Sequence, residues 1–345
     1  MFARHLVDVT RLVQVHNELV IVCRSLTTEL REKRSQQPGS RWRARVVSKQ
    51  QLRWFCTTLL GRAPGFAPEP EPVGPWRPVS IERRSRVVLD DWKREVSLDG
   101  SCGVIGVHLL LRALDVDGRP VSGRLSAGGT VAPLVLEGSG DHFSARVTLR
   151  IPNALPWMPH THGEPNLYPL RAELQTADGS FAIFEDVPVG FRSIEVGDPL
   201  SLRINSTPIF CRGVVWTPPD IVTLSAAPSF VRQRLKSLRD AGFNLLRVAG
   251  TTVYEDETFH SLCDELGLLV CGDMMFANMD YPYQDPDFRD TIHAEAESEL
   301  SRLGRYPSVP RDSGASGLSP SHRYQAGMRL LTAEYFQRNG LAAFW

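Results

Sequence analysis

Hydrophobic and polar residues alternate in two segments near the start of the chain, His5–Val13 and Asn17–Ser25. Both segments are rich in β-branched residues, and a period of two is typical of strands. A polar and basic stretch then interrupts the pattern, and the six prolines between Gly61 and Pro78 exclude a helix or a central strand there. We therefore predict that residues 1–85 form part of a β-sandwich that ends in a long loop.

A second strand-rich stretch follows, with Gly, Pro and Asp residues at its turns and no helical period. The turn Asp115–Pro120 contains Gly118, at which we expect a positive φ. Short strands over about 100 residues are typical of an immunoglobulin-like sandwich, and we predict one over residues 86–196. Its predicted strands are Val104–Leu114, Val131–Leu136, His142–Arg150, Leu167–Thr176 and Ser180–Pro188.

Beyond the second sandwich, apolar strands alternate with segments of helical period. One predicted helix places Phe230, Leu235 and Leu238 on one face, and the next opens with the acidic run Glu255–Glu257, which would complement its helix dipole. Strands and helices alternating at this spacing are typical of βα units with a parallel sheet. The predicted strands are Ile209–Trp216, Phe243–Gly250 and Leu268–Asp273, and the predicted helices are Pro228–Ala241, Tyr254–Leu266 and Asp287–Leu303.

The composition excludes several classes of protein. Hydrophobic residues make up 42% and charged residues 23% of the 345 residues, which favours a folded protein of about two or three domains. The 39 basic and 39 acidic residues balance, so the chain lacks the surplus of cations that a dedicated nucleic-acid binder needs. Arg31–Arg53 holds eight basic residues, and we interpret it as a solvated loop, with contact to RNA or DNA as the alternative.

The sequence also bears on where the protein resides. No stretch approaches the roughly 20 apolar residues that a membrane span needs, and Arg4 and Asp8 place charges where a secretory signal would be apolar. The six cysteines are scattered and lie mostly in apolar runs, as expected for reduced, buried thiols. We therefore expect a cytoplasmic protein with no membrane partner, and the sequence specifies no oligomeric state.

A series of short motifs runs in order along residues 1–307. The motifs are Val7-Asp-Val-Thr with Asn17-Glu-Leu-Val-Ile, Gly74-Pro-Trp-Arg-Pro-Val, Gly163-Glu-Pro-Asn-Leu-Tyr-Pro-Leu, Arg212-Gly-Val-Val-Trp-Thr-Pro-Pro-Asp, Asn244-Leu-Leu-Arg-Val, Tyr254-Glu-Asp-Glu-Thr-Phe-His-Ser-Leu-Cys-Asp-Glu-Leu-Gly and Gly272-Asp-Met-Met-Phe-Ala-Asn. Together they resemble glycoside hydrolase family 2, in particular its β-mannosidase-like branch. The resemblance implies a partial sugar-binding jelly-roll sandwich over 1–85, an immunoglobulin-like sandwich over 86–196 and the first part of a (β/α)8 TIM barrel over 197–307.

The resemblance places a sugar pocket at the C-terminal ends of the barrel strands, where chemistry is built in this fold. It implies that Trp216 and Arg247 line the pocket, the indole as a stacking platform and the guanidinium as a fork of donors, with Asp273 beside them. The alternative is that Trp216 belongs to the core and that Arg247 pairs with Asp273. Asp220 and Asn278 are weaker candidates for substrate binding, with loop caps as the alternative.

One departure from the family concerns catalysis. Its enzymes retain the anomeric configuration with two carboxylates about 5–5.5 Å apart, an acid/base and a nucleophile. The acid/base is expected on an apolar strand after Arg305–Ser308, but the chain continues with a turn-rich run that has no Glu before Glu334. Residues 198–345 are also fewer than the roughly 250 of a complete barrel, so the nucleophile has no position.

These differences change the interpretation of the last residues. We interpret residues 308–345 as a divergent tail that a frameshift or altered splicing has put out of register with the family, in a truncated chain. Glu334 lies in a segment that we interpret as an amphipathic helix, so we do not expect it to act as a catalyst.

A second departure concerns the sugar. β-Mannosidases of this family lend an Asp from a Trp-rich loop of the jelly roll, and the corresponding stretch here, Arg53–Gly65, has no Asp. Arg53, Trp54 or Arg62 would take its place, and an arginine suits an anionic or otherwise modified sugar. The resemblance implies relatives that hydrolyse a β-linked glycoside without cofactor or metal. We expect this chain to lack turnover by itself, and the alternative is a non-catalytic carbohydrate-binding or scaffold module.

Overall fold

The computed structural model describes residues 2, 5–36, 39–40, 42–63, 71–197, 201–276, 279–282 and 284–309. Within these ranges the chain has an N-terminal segment with little regular structure, then a β-sandwich, then an α/β part. None of the helices in the described part is long and apolar enough to span a bilayer. Asn278, Glu334 and the predicted tail from residue 310 onward lie outside the described residues.

The N-terminal segment differs from the predicted sandwich. Its regular elements are helix α1 (Leu26–Gln36) and a short 3₁₀ helix (Gln50–Trp54), and residues 5–25 contain no strand. The strands predicted at His5–Val13 and Asn17–Ser25 are therefore wrong. β-Branched residues form a strand only beside a neighbour that supplies the ladder bonds, and no strand of the described residues pairs with them. The described residues before residue 86 thus contain no jelly-roll sheet.

Residues 87–189 fold into two antiparallel four-stranded sheets that enclose one apolar core. The strands are β1 (Val87–Asp99), β2 (Cys102–Ala113), β3 (Pro120–Ala127), β4 (Thr130–Pro133), β5 (Val135–Ser139), β6 (His142–Ile151), β7 (Tyr168–Thr176) and β8 (Phe181–Val189). One sheet has the order β1-β2-β6-β5 and the other β4-β3-β7-β8. Burial alternates along β2, because one face of the strand meets the core. The predicted β-sandwich is therefore present.

The sandwich departs from the sequence expectation in its strand boundaries. Strand β1 was not expected, since the charged run Asp90–Glu95 hides its apolar positions. The single strand predicted over Val131–Leu136 is two strands, separated at Leu134, whose amide donates to the carbonyl of Gly123 (2.9 Å). Each half therefore pairs with a different sheet.

Gly118 serves a different purpose from the expected one. Its φ is not positive, so the turn does not require glycine for that reason. A Cβ built at this position would lie 2.1 Å from the carbonyl oxygen of Arg86. Glycine is needed at residue 118 because the backbone of Arg86 passes too closely for any side chain.

Parallel strands form the core of the α/β part. Three short antiparallel strands lead into it, β9 (Ile194–Gly197), β10 (Ser201–Ile204) and β11 (Thr207–Ile209). They are followed by β12 (Gly213–Trp216), α2 (Pro228–Asp240), β13 (Leu245–Val248), α3 (Glu257–Leu266), β14 (Leu269–Gly272) and α4 (Pro286–Leu303). Strands β12, β13 and β14 pair in parallel and in chain order, as the predicted βα alternation requires. The strand predicted over Ile209–Trp216 is divided, because residues 210–212 leave the sheet.

The parallel sheet packs against helices α2 and α3 on one face. Trp216, Leu246 and Val248 lie on this face, in one buried cluster with the apolar residues of both helices. Helix α2 contributes Val231 and Leu235 to the cluster. The predicted helix face was one residue out of place at its start, since Phe230 lies at the exposed side of the helix and Val231 at the buried one.

The opposite face of the sheet is closed at one end and open at the other. At the start of the strands, Leu245 and Leu269 pack against Trp157 and the short strands β10 and β11. Towards the carboxyl ends, Val215, Arg247 and Cys271 lie side by side in register and remain partly or largely exposed. Polar side chains at this end of the sheet are therefore accessible.

Arginines of the sandwich hold the end of the α/β part. Asp186 of β8 accepts from Arg94 of β1 (3.1 Å) and from Arg305, two residues after α4 (3.1 Å). Arg192 donates to the carbonyls of Pro307 and Val309. Together these contacts position the backbone that follows α4.

Candidate functional site

An ion pair between Arg247 and Asp273 occupies the carboxyl ends of the parallel strands. Arg247 is the third residue of β13 and Asp273 directly follows β14, so the parallel pairing of the two strands brings both residues to one edge. Nε of Arg247 donates to Oδ1 of Asp273 (3.1 Å), and Nη2 donates to Oδ2 (2.6 Å). The amide of Gly250 also donates to Oδ2 (3.3 Å). This two-point contact fixes the orientation of the guanidinium.

The two members of the pair differ in exposure. The Asp273 side chain is 4% exposed, whereas that of Arg247 is 47% exposed. The hydrogen bond to Asp273 raises the pKa of Arg247, so the guanidinium remains charged. Nη1 of Arg247 makes no hydrogen bond within the described residues. The pair therefore offers hydrogen-bond donors to solvent while its carboxylate is already occupied.

Trp216 does not accompany Arg247. Its ring is 7% exposed and lies on the helix-covered face, 5.1 Å from the ring of Phe259 in α3. Successive residues of a strand point to opposite faces, and Trp216 pairs with Val248 whereas Val215 pairs with Arg247. The expectation that Trp216 faces the sugar pocket is therefore wrong, and its placement matches the core alternative.

The indole of Trp216 has a carboxylate partner, Glu255. Nε1 donates to Oε1 of Glu255 (2.9 Å). Burial raises the pKa of Glu255 to about 7, and the hydrogen bond from Trp216 opposes part of that rise. Glu255 was expected in the first turn of α3, but the helix begins at Glu257 with Asp256 as its cap. A carboxyl that titrates near neutrality thus lies in the loop between β13 and α3.

The loop after β14 is held by a second buried acid. The amide of Met275 donates to the hydroxyl of Tyr254 (3.2 Å), which in turn donates to Oε1 of Glu295 in α4 (2.8 Å). Burial raises the pKa of Glu295 to about 7. These bonds tie both strand-end loops to α4, so they keep the backbone near Asp273 in place.

Residues of the N-terminal segment also reach this edge. The amide of Leu59 donates to the carbonyl of Thr251 (3.0 Å), the residue after Gly250, and the Thr58 hydroxyl donates to the same carbonyl (3.3 Å). The loop that the family resemblance associates with the sugar therefore lies beside the strand ends. Arg62, proposed to replace the missing Asp, pairs with Glu71 and its side chain is only 3% exposed, so it is not available to a ligand.

The remaining predicted residues do not join the site. Asp220 is partly exposed, and its Oδ1 accepts from the amides of Val222 (2.7 Å) and Thr223 (3.1 Å), which lowers its pKa. This is the loop cap that was the alternative for Asp220. Asn278 falls outside the described residues.

Sequence reasoning missed Glu255 as a member of this region. A local signal was available, because Asp is a preferred N-cap residue and Asp256 stands at the start of the helical pattern. In the structure, its Oδ1 accepts from the amide of Phe259, three residues later (2.9 Å). Recognising the cap would have placed Glu255 outside the helix. The bond to Trp216 spans 39 positions and has no local signal.

Comparison with known proteins gives this geometry a context. No protein-family model matches the chain. The chain is 29% identical over 338 residues to β-mannosidase B of Emericella nidulans, an alignment that covers 90% of the chain and 38% of that protein. A solved β-D-mannosidase from Dictyoglomus thermophilum is similar at 30% identity and a TM-score of 0.58, covering 65% of this chain and 28% of that one. The chain thus spans less than two-fifths of the length of these relatives.

More distant structures share the fold alone. A β-glucuronidase from Parabacteroides merdae matches 74% of this chain with a TM-score of 0.59 at 18% identity. The structural neighbours have in common a β-rich multidomain fold, as this chain does. The resemblance to the β-mannosidase-like branch of glycoside hydrolase family 2, which the motifs indicate, is therefore confirmed by related sequences and by structure.

Proposed function

We propose that this chain is the β-sandwich and early α/β portion of a glycoside hydrolase whose substrate is a β-linked glycoside. Three observations support the architecture. The sandwich order β1-β2-β6-β5 and β4-β3-β7-β8 suits an immunoglobulin-like domain. Strands β12, β13 and β14 neighbour one another in chain order, as in the opening of a TIM barrel. The amide of Val270 also donates to the carbonyl of Ser308 (2.9 Å), where a fourth strand would begin.

The Arg247–Asp273 pair carries the functional proposal. A guanidinium fixed by a two-point contact, half exposed at the carboxyl end of a parallel strand, offers a pre-oriented donor to sugar hydroxyls or to a sugar carboxylate. Thr58 and Leu59 border the same edge through Thr251. The ligand would therefore lie between this loop and Arg247, on the face away from α2 and α3.

The chain by itself is proposed to bind the glycoside without cleaving it. A retaining glycosidase needs two carboxylates about 5–5.5 Å apart on either side of the bond. At the described strand ends, Asp273 is engaged by Arg247 and Glu255 is bonded to the buried Trp216. Neither carboxylate is placed to attack a sugar. Binding without turnover is also what the carbohydrate-binding alternative predicts, so the two share this test.

Two measurements on the full chain test the proposal. Titration with methyl β-mannoside, followed by ligand-observed NMR, should show saturable binding that Arg247→Ala reduces at least about tenfold, since a charge-assisted hydrogen bond is lost. Arg234→Ala removes an exposed arginine from α2 and should leave binding unchanged.

An aryl β-mannoside should release no aryl group above background. Binding that Arg247→Ala leaves intact would contradict the proposed site, and hydrolysis by the purified chain would contradict the absence of turnover.

A further inference from the structure

Residues 6–22, at the start of the N-terminal segment, expose an unusual amount of apolar surface. Nine large aliphatic side chains between residues 6 and 22 are about half exposed or more, from 49% at Ile21 to 93% at Val15. The residues concerned are Leu6, Val7, Leu12, Val13, Val15, Leu19, Val20, Ile21 and Val22. A large amount of exposed apolar surface marks an interaction site on a protein.

Residues 19–23 have the composition of a β-strand. Leu19–Cys23 is five uncharged residues long, three of them β-branched, and contains no Pro or Gly. Its backbone takes part in no ladder within the described residues. Glu18 precedes this run and Arg24 follows it, so a negative charge lies at one end and a positive charge at the other.

We propose that residues 18–24 form an antiparallel strand pair with the same residues of a second copy of this chain. Centring the pair on Ile21 places Glu18 of each copy opposite Arg24 of the other. Val20 then lies opposite Val22, on the same face as the two charge pairs. The contact is its own partner by a two-fold axis, so the same residues are buried on both copies.

Charge selects the antiparallel register over the parallel one. A parallel pair in register would set Glu18 against Glu18 and Arg24 against Arg24, and like charges directly opposite each other are unfavourable. Within the described residues Arg24 pairs with Glu29 at 3.7 Å, and the Arg24 side chain is 81% exposed. That contact is weak enough for Arg24 to exchange it for a closer partner.

Charge reversal tests the proposal directly. Sedimentation velocity of the full chain over a range of concentrations should show a reversible monomer–dimer equilibrium. Glu18→Arg or Arg24→Glu alone sets like charges opposite each other twice per dimer and should weaken the dimer about tenfold or more. Combining Glu18→Arg with Arg24→Glu restores opposite charges at both places and should restore the dimer.

Two control variants separate register from net charge. Glu164→Arg and Arg234→Glu change net charge by the same amounts at exposed positions elsewhere and should leave the equilibrium unchanged. A chain that stays monomeric over the whole range would overturn the proposal. Dimerisation that the single reversals do not weaken, or that the double reversal does not restore, would also overturn it.

Discussion

The β-sandwich and the α/β part bury different kinds of side chain. The core between the two sheets is formed by aliphatic and aromatic residues, with Leu109, Leu125 and Leu174 wholly buried. The α/β part buries Glu295 and Asp264 as well as apolar residues. Both acids have a pKa raised to about 7 by burial. Among the described residues, the carboxyls whose pKa is raised to about 7 all lie in the α/β part.

The difference follows from what each region holds in place. Antiparallel sheets satisfy their own backbone bonds and need only apolar side chains between them. The strand-end loops of the α/β part have backbone groups that lie outside any ladder. Tyr254 and Glu295 bind the loop after β14. Asp264 accepts from the amide of Ser308 (2.7 Å) in the segment after α4. Buried acids position these loops at a cost in desolvation.

The largest effect is expected where the two regions meet. Asp186→Ala removes the carboxylate that pairs with Arg94, whose side chain is only 6% exposed, and with Arg305. Removing one partner of a buried ion pair costs about 3–5 kcal/mol. Urea denaturation should show this loss, together with faster hydrogen exchange in the segment around Pro307.

The matched control for this change is on the surface of the same sandwich. Asp90 pairs with Arg112, and both side chains are more than a third exposed. Asp90→Ala should cost less than about 1 kcal/mol, because water screens the pair. Equal losses for Asp90→Ala and Asp186→Ala would show that burial at the interface does not decide the stability.

A second substitution tests the apolar core of the sandwich by itself. Leu109 is fully buried in the central strand β2, so Leu109→Ala removes its contacts and leaves a cavity, at a cost of about 3 kcal/mol. The protection of backbone amides from hydrogen exchange should fall in β2 and β6, and this loss of protection should not depend on pH. The adjacent Leu110 points away from the core, and Leu110→Ala is expected to cost less than about 1 kcal/mol. Similar costs at both positions would contradict the alternating burial of β2.

These regions also differ in how far their structure follows from the sequence. The apolar alternation of β2 and the order of βα units are local patterns, and the strands formed where those patterns lie. Strand β1 has a charged middle, and its buried Arg94 pairs with Asp186, which lies 92 residues later in the sequence. A local pattern carries no information about such a partner.

The candidate site shows the same limit. The chain order places Arg247 and Asp273 at neighbouring strand ends, and their pairing was one of the stated alternatives. The direction of Trp216 could not be inferred, because residues 210–212 leave the sheet and the alternation that starts at Ile209 does not continue into β12. Residues 5–25 alternate like strands yet form none, which shows that alternation without a pairing partner is insufficient.

The buried acids predict a pH dependence confined to the α/β part. In the unfolded chain Glu295 ionises above its usual pKa of 4.5, whereas in the folded chain burial keeps it protonated up to about 7. Unfolding therefore releases a proton between these two pKa values, so stability falls as the pH rises from 4.5 to about 7. Glu295→Gln keeps an oxygen to accept from Tyr254 and removes this loss, which is on the order of 2 kcal/mol.

The measurement is urea denaturation near pH 5 and pH 8, with hydrogen exchange to assign the change to a region. Glu295→Gln should be more stable than the unmodified chain at the higher pH, and the gain should appear in α4 and β13 but not in the sandwich. Glu297→Gln makes the same change at an exposed position of α4 and serves as the control. A gain of equal size at both pH values would show that the titration of Glu295 is not its cause.

The smallest expected effect concerns the cap that keeps Glu255 out of α3. Asp256→Ala removes the acceptor of the Phe259 amide and should cost about 1 kcal/mol, while Asp256→Asn keeps an acceptor and should cost much less. Because the cap fixes where the helix begins, its loss should also disturb the bond from Trp216 to Glu255 and change tryptophan emission. Asp285→Ala removes the equivalent cap of α4, which holds no such carboxyl beside an indole, so it should lower stability by a similar amount without the change in emission. If both alanine variants change the emission alike, then general loosening, rather than the position of Glu255, accounts for it.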